Sequence, residues 1–340
     1  MKPKKFINHL IFTKDKIKIA VKKLDKLDNK FCLVLGNDNK LLGTITDGDI
    51  RRGLLKNYTM NDEVRKIYNK KPVVVKKVLS IKQIDSVLKK KDITFIPLIN
   101  ENRKIIQIYD LKNKNNVKLI DNHMLIMAGG KGLRLRPLTN KIPKPLLLVN
   151  KKPIIEHIII AAKNEGITHF YISINYLGYK IKKYLGDGSN LGVKIKYLEE
   201  KKPLGTAGSI SLIKKFNNPI FVTNADILSR IDLKEMIKYH QKNKSHITIA
   251  AKVAYEKDNY GRILARGSVV KKVIEKLEKN LLINAGIYII DPKVKKFIKK
   301  SEYLDMTDLI NLALSKNTKI NVFPIHEKWL DYGLKKNLKK

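Results

Sequence analysis

Residues 123–132 read His-Met-Leu-Ile-Met-Ala-Gly-Gly-Lys-Gly, an apolar run that ends on three glycines within four positions. A run this short and this uniformly apolar predicts a strand buried on both faces, as in a parallel sheet. Gly129, Gly130 and Gly132 have no Cβ, so the backbone after the strand can approach a bound group closely. Amide N–H groups in such a loop, with Lys131, Arg134 and Arg136 beside them, form a site for a polyphosphate. Pro143 and Pro145 then flank Lys144, which holds its backbone extended and aims its ammonium. The stretch points to nucleotide phosphate chemistry. It completes neither common phosphate motif, because there is no Gly-x-x-x-x-Gly-Lys-Ser/Thr and position 135 is Leu where G-x-G-x-x-G needs Gly. A dehydrogenase or a kinase is therefore not supported.

From His123 onward, β-prone runs alternate with helical ones. Strands are expected at 123–128, 169–174, 193–198 and 219–223, with helices over Ile154–Lys163, Gly178–Leu185 and Ala207–Lys214. This alternation predicts an α/β fold, a Rossmann-like doubly wound and mostly parallel sheet. Ligands bind outside the C-terminal ends of such strands, where residues 129–136 and 224–226 should both fall.

With 340 residues there is room for two domains. The first 115 carry a separate, smaller α+β pattern. A helix from Ile17 to Leu27 precedes strands 31–35 and 41–46 and a helix from Asp47 to Leu55. A weaker copy follows, with a helix over Ile81–Lys89 and strands 94–99 and 105–109. Such an internal repeat folds as one paired module. The expected division is 1–115, a polar linker at 116–122, and 123–340.

The single cysteine, Cys32, forms no internal disulfide, and no Cys/His cluster has metal-ligand spacing. No signal-type h-region and no long apolar run is visible, so a soluble cytoplasmic protein without a membrane partner is expected. The formal net charge of +40 suggests a polyanion partner, yet the lysines are spread along the whole length and only nine residues are Arg. Compositional bias explains this better than specific nucleic-acid binding.

The stretch Ala128–Thr139 with Lys144-Pro-Leu146 resembles the signature of the sugar-phosphate nucleotidyltransferases, which make nucleoside-diphosphate sugars. Leu133 stands where that family usually has Thr. The resemblance covers 123 to about 334 and implies transfer of a nucleotidyl group to a sugar 1-phosphate. It implies Mg²⁺ held by Asp226 and Asp331, with Ala225 in place of the usual Gly before the first acid. Arg134 would stabilise the departing pyrophosphate, Lys144 would face the α-phosphate or the incoming phosphate, and Lys276 would grip the sugar phosphate. Gly129, Gly130, Gly132, Glu200, Gly205 and Thr206 would hold the nucleotide. Tyr260, Gly261, Glu275, Asn284 and Gly286 would contact the sugar, and Leu277 replaces the usual Pro after Lys276.

An ionised Glu200 only accepts hydrogen bonds. Guanine offers two adjacent donors, whereas uracil and thymine present one N–H flanked by carbonyls, so GTP is expected over UTP or dTTP while CTP stays open. The segment Leu33–Arg52 looks like a CBS domain, so residues 1–115 resemble a CBS pair, in which Thr46 and Asp49 would touch the ribose of an adenine nucleotide. The second copy, Gln107-Ile-Tyr-Asp110, has no Thr or Gly at the equivalent turn. A regulatory and a purely structural or dimerising role are both open, and a homo-oligomer is expected. The arrangement resembles guanylyltransferases acting on mannose or glucosamine 1-phosphate. The alternatives are a catalytically silent homologue that senses nucleotide or sugar nucleotide, and a polyanion-binding protein.

Overall fold

The computed structural model describes residues 6–27, 30–110, 120–257, 262–266, 268–274 and 278–338. The chain divides into two compact units, Met1–Asn116 with Val253–Leu282, and Val117–Lys252 with Ile283–Lys340. Each unit is thus built from two separate stretches of sequence.

In the first unit the two repeats share their wiring. The hairpin of Phe31–Leu35 with Leu41–Thr46 is bulged between Val34 and Leu35, and that of Phe95–Ile99 with Ile105–Asp110 between Leu98 and Ile99. Each is flanked by a parallel neighbour, Leu10–Phe12 in the first copy and a bridge from Val75 to Leu98 in the second. The helices Ile17–Leu24 and Ile81–Lys91 precede their hairpins. Buried Phe31 and Phe95 join the copies by stacking with ring centroids 3.6 Å apart.

The second unit is built on a seven-stranded sheet. Its order is Lys194–Glu199, His169–Ile174, Met124–Met127, Ile220–Asn224, Glu278–Ile290, Ile247–Lys257 and Ile320–Ile325. Lys194–Glu199, His169–Ile174, Met124–Met127 and Ile220–Asn224 run parallel, and so does the pair Ile247–Lys257 with Ile320–Ile325, whereas Glu278–Ile290 is antiparallel to Ile220–Asn224. The α/β fold with a mostly parallel sheet is therefore as expected from the alternation.

Strand periodicity sorts side chains onto two cores. Met124, Ile126 and Phe221 enter one, with the helices Ile154–Asn164 and Leu233–Lys242. Leu125, Ile220 and Val222 enter the other, with the helix Met306–Ser315. Helix Ile154–Asn164 follows Pro153 and buries Ile154, Ile155, Ile158, Ile159 and Ala162, one stripe at helical spacing.

One expected helix differs. Residues 207–214 form only a short α-turn, Gly205–Gly208, followed by a 3₁₀ turn, Ser209–Leu212. The N–H groups of Ala207 and Gly208 bond Leu304 O at 2.9 and 3.1 Å, so this segment is fastened to a remote loop instead of extending along a helix axis.

The linker expected at 116–122 falls partly outside the described residues. Residues 120–122 are already fastened to the second unit, Ile120 N to Gly166 O at 2.9 Å and Asn122 Nδ2 to Pro219 O at 2.6 Å. No helix among the described residues is long and apolar enough to cross a membrane.

His240 is 2% exposed, with Nδ1 2.8 Å from Thr248 Oγ1. Burial lowers its pKa from the ordinary 6.5 to about 4. The unfolded chain therefore binds the extra proton first, so His240 favours folding fully above about pH 6.5 and progressively less as pH falls towards 4. Denaturant unfolding of the second unit should lose up to about 1.4 kcal/mol per pH unit from this residue across that window. His240→Gln should flatten the slope; an unchanged slope would refute its origin.

Candidate functional site

The parallel pair Met124–Met127 and Ile220–Asn224 marks the point where the strand order reverses, since the next strand after Met124–Met127 lies on its other side. Loops leaving the two strands diverge there and leave a crevice. A cavity of about 570 Å³ fills it. Gly129, Gly130, Gly132 and Arg134 line it from the first loop, and Asn224, Ala225 and Asp226 from the second.

Backbone geometry explains the glycines. Gly132 has φ +61°, and a Cβ there would meet Thr139 Cγ2 at 2.9 Å. Thr139 Oγ1 donates to Gly132 O at 2.9 Å and locks the turn. A Cβ on Gly129 would lie 3.0 Å from Glu200 Oε1, whereas Gly130 faces open space. Leu133, 60% exposed, also lines the cavity.

Asp331 reaches the site by a two-stranded ribbon in which Ile227 pairs with Asp331 and Ser229 with Trp329. Tyr332 N donates to Asp226 O at 2.9 Å, and Trp329 Nε1 to Ala285 O at 2.9 Å. Lys144 Nζ donates to Asp226 Oδ2. A Cβ on Gly333 would sit 2.7 Å from Asp331 Oδ1, 2.7 Å from Lys144 Nζ and 3.0 Å from Asp226 Oδ2. Two carboxylates and one ammonium, drawn from three remote segments, thus converge where only glycine leaves room.

Glu200 is fastened at both oxygens. The Ser173 hydroxyl donates to Oε1 and Leu204 N to Oε2 at 2.9 Å. Gly205, with φ +75°, packs against Leu304 O and Asp305 Oδ1, at 2.6 and 2.9 Å from its ideal Cβ. Thr206 lines the cavity, but its N–H and hydroxyl both donate to Asp305 Oδ1, at 3.0 and 3.1 Å, and its oxygen accepts from Met306 N at 2.8 Å. Its visible work is to hold the loop. Burial pushes Asp305 up, but the hydrogen bonds from Tyr303 and Thr206 outweigh it and hold the carboxyl below its usual range.

Of the residues expected to contact sugar, Gly286 (φ +71°) lies against Asn224, whose Nδ2 is 2.7 Å from the ideal Cβ, and Asn284 Oδ1 accepts from Gly286 N at 3.0 Å. Tyr260, Gly261, Glu275 and Lys276 lie outside the described residues. Thr46 and Asp49 belong to the first unit and engage each other: Asp49 Oδ2 accepts from Thr46 N and Oγ1, both at 2.9 Å, and Oδ1 from Arg52 at 2.5 Å. They close the start of helix Asp47–Leu55. Ser173, Tyr303 and Asp305 were not singled out from sequence. Asp305 carries only the signal of an acid just before a helix, which reads as a cap.

A family model described as nucleotidyl transferase matches residues 123–340. Mannose-1-phosphate guanyltransferase of Saccharomyces cerevisiae is 32% identical over 234 residues, covering 63% of this chain and 62% of that protein. A probable mannose-1-phosphate guanylyltransferase 1 of Oryza sativa subsp. japonica is 37% identical over 180 residues, half of each chain. The chain thus spans about three fifths or less of the length of these relatives. Among solved structures, a putative glucose-1-phosphate thymidylyltransferase from Bacillus anthracis in complex with sucrose aligns with a TM-score of 0.52 at 25% identity, over 64% of this chain and 92% of that one. HddC from Yersinia pseudotuberculosis complexed with GMP-PN aligns at 0.51 and 20% identity, over 64% and 96%.

The clearance at Gly333 is directly testable. All three neighbours are side-chain ends, so Gly333→Ala should splay them and cost about 1–3 kcal/mol of stability. A crystal structure and a melting curve of the variant check this; unmoved Lys144 and Asp226 would refute the constraint.

Proposed function

We propose a function from one premise: the chain belongs to the nucleotidyl transferase family. It transfers a nucleotidyl group from a nucleoside triphosphate, GTP in preference, to a mannose- or glucosamine-type sugar 1-phosphate, and releases pyrophosphate. The observation that carries this reading is the convergence of Lys144, Asp226 and Asp331 over Gly333, beside a cavity walled by the glycine loop and Glu200. The guanylyltransferase names of the relatives support both base and sugar class.

The chemistry is a displacement at phosphorus. A sugar-phosphate oxygen attacks the α-phosphorus, the bond to the bridging oxygen breaks, and its electron pair leaves with pyrophosphate. Two anions must meet, so the protein's task is to neutralise charge and hold the reacting atoms in line. Lys144, already half-buried at the cavity wall, places an ammonium beside the reacting phosphates. Arg134, exposed at the cavity edge, is placed to receive the departing pyrophosphate. Backbone N–H groups around Gly129–Gly132 cradle the phosphate chain.

Asp226 and Asp331 suit Mg²⁺, a hard cation that takes one or two carboxylates together with substrate oxygens and water. Both present an oxygen within 3.0 Å of one point over Gly333. An ion held by these two carboxylates would supply further charge neutralisation at the phosphates.

A carboxylate has about four acceptor positions. Ser173 and Leu204 occupy one on each Glu200 oxygen, leaving room for the paired donors of guanine. The decisive assay is pyrophosphate release with Mg²⁺ across GTP, CTP, UTP, dTTP and ATP, each with a panel of hexose and hexosamine 1-phosphates. GTP should be fastest. Lys144→Met or Asp226→Asn should lower the rate on the order of a hundredfold to a thousandfold. Glu200→Gln should erode the preference for GTP; an unchanged preference removes Glu200 from base selection. Silence of the folded protein across the panel would replace this reading with a homologue that senses nucleotide without turning it over.

We read the first unit as a CBS pair on its two matching bulged hairpins and the Phe31–Phe95 stack. An adenine nucleotide near Thr46 and Asp49 should raise the unit's melting temperature. No shift at saturating AMP or ATP would leave it a structural module.

A further inference from the structure

One part of the cavity wall comes from a segment without any phosphate or sugar motif, Tyr303-Leu-Asp305. Its placement is tightly determined. Leu304 N donates to Leu204 O at 3.0 Å, and Leu304 O accepts from Ala207 and Gly208. Ideal Cβ atoms on Gly205 and Gly208 would fall 2.6 Å from Leu304 O and 2.5 Å from Glu302 O, so the two backbones touch where side chains are absent. The segment is thereby held in register with the loop that continues from Glu200.

Within it, Tyr303 is 61% exposed and lines the cavity, while its hydroxyl donates to Asp305 Oδ2 at 2.7 Å. The tip of the ring is pinned and the ring itself is left uncovered. A tyrosine has two rotatable side-chain torsions, so pinning its tip spends most of its freedom before any ligand arrives. The neighbouring Asp305 carboxylate raises the phenol's pKa, so the hydroxyl stays protonated and keeps donating.

We propose that Tyr303 is a base-contacting residue of the nucleotide site, offering its ring as a stacking face for the purine, and that Asp305 is the positioning residue that holds it. The proposal rests on the nucleoside triphosphate reading above and assigns one wall of that site. The flat, polarisable face of a purine fits an uncovered aromatic ring, and the larger purine gains more from it than a pyrimidine does.

The test separates a base contact from a merely structural one. Affinities of the full chain are measured by calorimetry, with Mg²⁺ present, for GTP and for inorganic tripolyphosphate, which carries the charge but no base. Tyr303→Ala should weaken GTP by about tenfold, equivalent to about 1.4 kcal/mol, and leave tripolyphosphate unchanged. Tyr303→Phe, which keeps the ring but loses the bond to Asp305, should fall between wild type and Tyr303→Ala for GTP and leave tripolyphosphate unchanged; a GTP affinity equal to wild type would remove the positioning role from Asp305. An unchanged GTP affinity in Tyr303→Ala overturns the inference, and so does an equal loss for both ligands, which marks a structural role. If the wild-type chain binds no nucleoside triphosphate at all, the functional reading falls first and the inference with it. GTP binding by wild type with an indifferent Tyr303 overturns the inference alone.

Discussion

The parallel pairing of Met124–Met127 with Ile220–Asn224 is the interaction on which the rest of the second unit depends. Four residues of ladder bring the glycine loop and the Ala225-Asp226 turn to one sheet edge, and these two segments form facing walls of the cavity. The pairing is itself secured on both faces. Met124, Ile126 and Phe221 anchor it in one core and Leu125, Ile220 and Val222 in the other, so a register slip of one residue would exchange the two sets. Rigidity at this point fixes where the Gly129–Gly132 loop starts, and Thr139 holds where it turns.

The sheet and the loop were legible because their signals are local. A buried parallel strand is a short apolar run, and Met124–Met127, His169–Ile174 and Ile220–Asn224 all announce themselves that way. The segment 207–214 was misread as a helix because its competitors are remote. Nothing near Ala207 indicates that its N–H will be taken by Leu304. The antiparallel strand Glu278–Ile290, inserted between Ile220–Asn224 and Ile247–Lys257, was equally hidden, since alternating strands and helices predict parallel neighbours only. In the site, Asp226 was visible as an acid closing an apolar strand. The pairing that delivers Asp331 to it and the Ser173 hydroxyl that fastens Glu200 are facts of cross-strand register, and a single sequence does not display register.

Electrostatics follows from the same economy of acids. Against 71 Lys and Arg the chain has 31 Asp and Glu, and two of these acids meet at Gly333. Lys144 offsets one of them by direct contact, which lowers the cost of bringing two carboxylates together. The surplus of positive charge over the remaining surface draws anions towards the molecule, an effect on encounter rate that salt screens over about 8 Å at physiological ionic strength.

The ribbon of Ile227–Ser229 with Trp329–Asp331 has a thermodynamic consequence. It is short, and strands of this length hold poorly by themselves. Yet it carries the second acid to the first, helped by the bonds from Tyr332 N to Asp226 O and from Trp329 Nε1 to Ala285 O. Any ligand that needs both carboxylates binds only the docked form, so by mass action it must stabilise docking to the same degree that docking favours its binding. The order of the chain around residue 331 and the affinity of the site are therefore one quantity seen from two ends. A substitution of Trp329, whose indole N–H bonds the Ala285 carbonyl, would act on the ligand through that linkage.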